Sequence, residues 1–337
     1  MSIEIANGQN NSLKESSFAP SIEVIIIPDE NLKNTAFGLC KTCEDVYNAI
    51  ASKYSNTKMT ICNDDGDLQA VLKRKPNLVV LTNKIMLVSS KKIWLSEYFE
   101  TNNINFTGST KKVLQYDMNK ISSKRQVMSF GVDTPRFFTA TPDEFCTPES
   151  LPIPFPLFIK PLESANSDGI DEKSFVYNFA SFQKKVKELY DMYKQVVLIE
   201  EYLAGKEFTV AIIEAEEMLI APIEIVAPLK NDIRILSKKI KNDNTETIEK
   251  IIDTDVYQRV SAIAKTSFEA LGARDYGRID IKMDSHGRCY FLEANLTPGM
   301  TKGSSYFPRS YELCSMLEYD DVVCLLIQAS LKRGKYD

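Results

Sequence analysis

The stretch from Tyr276 to Pro308, YGRIDIKMDSHGRCYFLEANLTPGMTKGSSYFP, constrains this chain more than any other. Arg278, Asp280 and Lys282 alternate with Ile279 and Ile281, the period of a strand with one charged and one apolar face. Asp284-Ser285-His286-Gly287 has turn chemistry. The return segment alternates again, with Tyr290, Leu292 and Ala294 on one side and Cys289, Phe291, Glu293 and Asn295 on the other. A hairpin through Ser285-His286 then places Glu293 near Arg278 and Asp280 on one face. A bulge at the turn is the alternative and shifts the pairing by one residue. Asp280, Glu293 and Asn295 form a hard-oxygen set of the kind that holds Mg2+ together with substrate phosphates. A solvated charged face is the plainer reading of the same residues. The loop that follows, Thr297 to Ser305, favours a site, because its Gly, Thr and Ser residues offer N–H groups and hydroxyls to an anion.

With 337 residues the chain can bury a large core spread over two or three lobes. A net charge of −5 speaks against a nucleic-acid footprint. No apolar run approaches a membrane span, and the polar N-terminus has no signal-peptide core. The seven cysteines lack disulfide-like spacing, so reduced thiols and a cytoplasmic location are expected, with no membrane partner. Cys40 and Cys43 form a lone C-x-x-C, read as structural. His286, the only histidine, sits in a turn, which disfavours histidine general-base chemistry.

Taken in order, residues 1–20 read as a flexible extension. Residues 21–106 read as a Rossmann-like α/β lobe, with strands at Ile22–Pro28, near Thr60 and at Asn77–Asn83 and helices near Ile50 and Phe99. No G-x-G-x-x-G follows the first strand. Residues 107–195 form a central lobe. In its strand Phe155–Pro161, Phe158 and Lys160 share a face. Residues 196–337 read as a C-terminal lobe with the candidate metal site. It opens on two strands within Val196–Ile213 and continues with a helix over Ile251–Leu271 and a helical tail. There is no P-loop lysine motif and no kinase H-R-D or D-F-G, which excludes those nucleotide folds.

The segments GRIDI and FLEANLTPGMT closely resemble the C-terminal signature of the D-alanine–D-alanine ligases within the ATP-grasp superfamily. The resemblance runs from about Thr107 to Leu331, with gaps between Lys230 and Lys250. It implies an α/β ATP-grasp fold with an N-terminal pre-ATP-grasp lobe, and an ADP-forming ATP-dependent carboxylate–amine ligase. ATP is the implied co-substrate, with two Mg2+ ions (or Mn2+) held by Asp280, Glu293 and Asn295. The implied ATP contacts are Lys120 and Lys160 to phosphates, Glu200 and Leu203 to adenine through backbone atoms, Glu207 to the ribose, and Lys239 from the mobile loop. Arg278 corresponds to the arginine that stabilises the acyl-phosphate and the tetrahedral intermediate, and is the catalytic candidate. Gly299 and Ser304 correspond to positions that hold the second substrate's carboxylate. Relatives are commonly homodimers, so a homodimer is expected.

The chain departs from the family at the first substrate. The family's H-G-G-x-S-x-E segment is missing from the stretch after the first strand. Ala165-Asn166-Ser167 replaces a Gly-Ser-Ser turn, and Ser237-Lys238-Lys239-Ile240 replaces A-K-Y in the mobile loop. The expectation is therefore a ligase of amino-acid-like substrates in a specialised pathway, with an acyl donor other than D-alanine. A true D-alanine–D-alanine ligase, a ligase that acylates a carrier protein, and a silent nucleotide-binding domain are the alternatives.

Overall fold

The computed structural model describes residues 19–27, 34–88, 91–163, 167–230 and 233–334. Most of the expected N-terminal extension, part of the stretch after the first strand, and Ala165 and Asn166 lie outside the described residues.

The N-terminal lobe is a three-stranded parallel sheet, with Ile22–Ile26 between Thr57–Ile61 and Leu78–Leu81. The central strand is buried along its length, as a strand covered on both faces must be. Its one charged residue, Glu23, is paired with Arg74 and the Thr60 hydroxyl, which offsets the cost of its burial. Helices Cys40–Lys53 and Asp65–Arg74 cover the sheet. The helix near Phe99 spans Leu95–Thr101, and the residues just before it, Lys91–Trp94, pair as a hairpin strand with Ile85–Val88.

Two antiparallel sheets follow. The first has the order Phe175–Val176, Leu157–Pro161, Val197–Glu201, Phe137–Ala140, with helix Phe179–Tyr193 packed against it. The second has the order Thr247–Lys250, Met218–Val226, Glu207–Glu214, Tyr276–Met283, Cys289–Asn295. The two strands expected within Val196–Ile213 thus belong to different sheets, and residues 202–206 cross from one to the other. Val197–Glu201, which opens the stretch assigned from sequence to the C-terminal lobe, completes the sheet of the central one.

The second sheet has two unlike faces. Phe208, Val210, Ile212, Ile279 and Ile281 point into a core shared with helix Thr254–Leu271. That helix is held at its start by Asp253, which accepts from the Asp255 and Val256 amides, and at its end by Gly272 at φ 67°. On the other face, Ala211, Ile213 and Tyr276 pack with helix Tyr319–Arg333 and the N-terminal lobe. Further along the same face come Thr209, Glu207, Asp280 and Lys282. One face is therefore core at one end and polar at the other.

The strict alternation expected for Cys289–Asn295 fails at one point. Asp280 pairs with Glu293, but Ile281 pairs with Phe291, so Leu292 is an extra residue in the strand. The bulge lies in mid-strand rather than at the turn. It sends Cys289, Phe291 and Ala294 into the core and turns Leu292 and Glu293 together toward the cleft. Phe291 thus does not share a face with Glu293, although the expected meeting of Glu293, Arg278 and Asp280 occurs.

Candidate functional site

A cleft opens between the two antiparallel sheets. Phe158, Lys160 and Glu200 line it from the first sheet, Tyr202 and Leu203 from the connector, and Glu207, Asp280, Lys282, Leu292 and Glu293 from the second. Phe158 and Lys160 share a face, as period two predicts.

The register of the second sheet builds the polar end. Thr209 faces Asp280, and Asp280 faces Glu293 on the other side. Arg278 faces Asn295, and Glu207 faces Lys282. Arg278 grips Asp280 as a fork, with Nε to Oδ1 and Nη2 to Oδ2 both at 2.9 Å. The Thr209 hydroxyl donates to the same Asp280 carboxylate, and Asn295 Nδ2 donates to it at 3.0 Å. Lys282 Nζ stands 2.8 Å from Glu207. Burial works against the charge on Arg278, but Asp280 and Glu293 outweigh it and hold its pKa above the ordinary value. For Glu293, burial pushes the pKa up, while Lys120, Lys160, Lys241 and Arg278 together hold it well below the usual carboxylate range. Both groups are fully charged at neutral pH.

Helix Lys120–Met128 supplies the second set of cations. Asn119 starts it by accepting from the Ser122 amide. Lys120 reaches within 3.9 Å of Glu293 and donates to the Leu162 carbonyl at 3.4 Å. Burial lowers its pKa, against the pull of Glu293. One turn on, Lys124 is fully buried with Nζ 2.8 Å from Glu200 Oε1, and Lys160 Nζ lies 2.9 Å from Glu200 Oε2. The Glu200 side chain is thus shared between two lysines. The adenine role expected at this residue concerns its backbone.

The mobile-loop stretch carries regular structure of its own. It contains a short helix, Lys238–Asp243, capped by Ser237, and the edge strand Thr247–Lys250. Arg234, Ile235 and Leu236 cover the cleft. Lys238 is paired with Asp168 at 2.6 Å and Lys230 with Glu172, both in the loop after the first sheet's strand Leu157–Pro161. Lys239 points away from the cleft, on the exposed side of the short helix, and Lys241 faces in. Helical geometry explains the exchange, since residues two apart lie on opposite faces.

Beyond the polar end lies the loop that holds Gly299 and Ser304. A Cβ on Gly299 would meet Ser305 Oγ at 2.8 Å and would displace that hydroxyl. Ser305 Oγ accepts from the Thr301 amide at 2.9 Å. Ser304 reaches out to Asn244 in the mobile segment at 3.2 Å. The Tyr306 ring lies 5.6 Å from the Arg278 guanidinium and 5.8 Å from Lys241 Nζ, and its hydroxyl donates to Glu246.

The sequence reading assigned no role to Lys124, Lys241, Thr209 or Tyr306 and none to Lys282 beyond strand alternation. Spacing was the available signal: Lys124 is four residues from Lys120 on a helix, and Thr209 and Lys282 are two from Glu207 and Asp280 on strands.

The family model described as the D-ala D-ala ligase C-terminus matches residues 126–328. The chain is similar to D-alanine–D-alanine ligase A of Bacillus cereus, 30% identical over 236 residues that span 69% of this chain and 74% of that one. It is also similar to a D-alanine–D-alanine ligase of Pseudomonas putida, 28% identical over 233 residues, 68% of this chain and 70% of that one. Among solved structures, the D-alanine–D-alanine ligase from Bacillus anthracis complexed with ATP aligns with a TM-score of 0.71 at 21% identity, covering 94% of this chain and 99% of that one. The VanG D-Ala:D-Ser ligase from Enterococcus faecalis aligns at 0.66 and 18% identity, covering 92% and 99%. These two likenesses show the fold along nearly the whole chain, the N-terminal lobe included. Among the described residues no helix is long and apolar enough to cross a membrane. By its matched C-terminal two-thirds and its fold, the chain belongs to the D-alanine–D-alanine ligase family, ATP-dependent carboxylate–amine ligases built on the ATP-grasp fold.

Proposed function

We propose that this chain is a D-alanine–D-alanine ligase that runs on Mg2+ and ATP. One observation carries the reading: a single strand pair presents Arg278, Asp280, Glu293 and Asn295 together, with Lys120 3.9 Å from Glu293 and Lys160 lining the same cleft. Glu293 and the Asn295 amide oxygen suit a hard divalent cation, whereas Asp280, whose two oxygens already accept from Arg278, Thr209 and Asn295, would join by giving up one of these bonds. Asp280 and Glu293 are cross-strand partners, and Asn295 adds an amide oxygen while its nitrogen is engaged with Asp280. Among the described residues no group of three or more His, Cys, Asp and Glu could hold a metal. With ATP bound, its phosphates would supply the remaining oxygen ligands. When bound, Mg2+ would neutralise charge on the transferring phosphoryl group.

In the first step a substrate carboxylate oxygen attacks the γ-phosphorus, the bond to the β-phosphate oxygen breaks, and ADP leaves. Lys120 and Lys160 orient the phosphates. In the second step the amine of another amino acid attacks the acyl carbon, phosphate leaves, and the ammonium that forms gives its proton to the departing phosphate. The Arg278 fork, already charged and held by Asp280, faces the oxyanion of this step. Glu207 would accept from the ribose, and the Leu203 backbone from adenine. Lys241 takes the role expected of Lys239.

A different acyl donor is the second reading, and the missing H-G-G-x-S-x-E segment favours it. In this reading the N-terminal lobe, which touches the Thr297–Ser305 loop, would choose the donor. Phe37 O accepts from the Met300 amide at 2.7 Å, and Thr42 and Thr301 hydroxyls lie 3.1 Å apart. Gly38 has φ 134°, and a Cβ there would meet Thr301 Oγ1 at 2.5 Å. The test is phosphate release from MgATP over a panel of amino acids, singly and in pairs, with Asp280→Ala and Glu293→Ala as controls. Turnover with D-alanine alone, lost in both variants, supports the proposal. Turnover that requires another acid with D-alanine as acceptor supports the second reading. Absence of turnover with every amino acid in the panel overturns both.

A further inference from the structure

We propose that Lys124, which does not line the cleft, is a positioning residue that keeps the Lys160 charge available to the ATP phosphates by neutralising Glu200. The inference rests on the nucleotide site proposed above.

Lys124, Lys160 and Glu200 are all buried, at 0%, 5% and 2% exposure. The carboxylate is bridged, with Lys124 at 2.8 Å from one oxygen and Lys160 at 2.9 Å from the other. Only Lys160 and Glu200 line the cleft. A carboxylate in contact with Lys160 fixes where its ammonium stands, but it also cancels the charge that a phosphate would feel. The second lysine removes that conflict. With Lys124 protonated the three groups sum to +1, and without it to zero. In a partly desolvated cleft a unit charge near a triphosphate is weakly screened, so this difference reaches the ligand.

The surroundings agree with this assignment. Besides Glu200, the charged groups that act on Lys124 are Lys160 and Glu293. Burial lowers its pKa to about 8, with Glu200 pulling the other way. The lysine therefore remains mostly protonated at neutral pH, with the carboxylate opposing the effect of burial. A simple packing role would call for an apolar side chain, since burying an ammonium is costly.

The test is equilibrium binding of ATP and of AMP to the full chain and two variants at pH 7. Lys124→Met is expected to weaken ATP binding about tenfold, equivalent to about 1.4 kcal/mol, with AMP changed less than twofold. Lys124→Met/Glu200→Gln restores the sum to +1, and the amide oxygen still accepts from Lys160. ATP binding in this double variant is expected to return to within about threefold of the unaltered chain. ATP binding by Lys124→Met within twofold of the unaltered chain overturns the inference. So does a folded double variant that binds ATP about as poorly as the single one, because a packing role or a direct phosphate contact cannot be rescued this way. Should Lys124→Met fail to fold, the double variant decides alone: near-normal ATP binding supports charge balance, and a tenfold loss overturns it. If the unaltered chain binds no ATP, the nucleotide reading falls and this inference falls with it. Failure of the variants on a chain that does bind ATP refutes only the role of Lys124.

Discussion

Replacing Arg278 with lysine separates a catalytic arginine from a structural counter-ion. Arg278 donates twice to Asp280, at 2.9 Å each, from a site where both side chains are 12% exposed. Lysine keeps the charge and one of these bonds but has no fork. The lost charge-assisted bond is worth about 1.5–3 kcal/mol. If that were the whole effect, it would appear as stability, at about 2–4 °C of melting temperature per kcal/mol for a domain of 150–250 residues. An arginine whose fork also meets the developing oxyanion loses more: removing such a donor costs about 10²–10³ in kcat. Arg278→Lys is therefore expected to lower kcat for ADP formation about 100-fold or more. KM for ATP should stay within about threefold, and the melting temperature should drop by about 3–12 °C. Steady-state kinetics and a thermal melt on the same preparation give all three values. A kcat within threefold of the unaltered chain, together with the melting loss, would refute the catalytic assignment and leave Arg278 as the partner that orients Asp280.

Glu207→Gln is expected to raise KM for ATP about tenfold, with a smaller change for 2′-deoxy-ATP, since the carboxylate beside Lys282 is read as the acceptor of ribose hydroxyls; equal changes for both nucleotides would remove that role. Gly205→Ala is expected to destabilise the chain by about 1–3 kcal/mol in a urea melt, because the added Cβ would meet Met283 O at 2.6 Å and crowd Asp284 O. A stability pH profile checks Glu200. Burial opposes its charge, yet Lys124 and Lys160 hold its pKa below the ordinary 4.5. Its contribution is complete above that value and lost as pH falls through the depressed one, so Glu200→Gln is expected to flatten the acid limb below about pH 4.5. An unchanged slope there would mean that the carboxylate gains nothing from its two lysines.

Much of the site was legible because it lies on strands. The alternation of Arg278, Asp280 and Lys282 set which side chains share a face, and two-residue spacing joined Phe158 to Lys160. The bulge at Leu292 was not legible, because both registers of Cys289–Asn295 place apolar residues inward. Lys239 and Lys241 could not be ranked from sequence, because the short helix that separates them is too brief to leave a periodic signal. The bridging of Glu200 joins three segments far apart in sequence, and local pattern carries no trace of such a meeting. The family's first-substrate motif is absent from the sequence, and the relatives are nevertheless named for D-alanine. That disagreement is what the substrate panel resolves.

The mixed face of the second sheet restricts how such a chain can diverge. Ala211, Ile213 and Tyr276 anchor one end in the core, and the charged groups are the next rungs of the same strands. A one-residue insertion within either strand would turn every charged group beyond it into the core behind the sheet. A two-residue slip would put Ala211 in register with Asp280 in place of Thr209. Length changes are therefore tolerable only in the turns, in the covering segment between Lys230 and Lys250, and in the N-terminal lobe. The loop Thr297–Ser305, proposed to hold the second substrate's carboxylate, is one of these turns, and it touches both the covering segment and the N-terminal lobe. Drift in substrate choice is thus open to this architecture, while the phosphate and metal groups stay tied to the packing of its core.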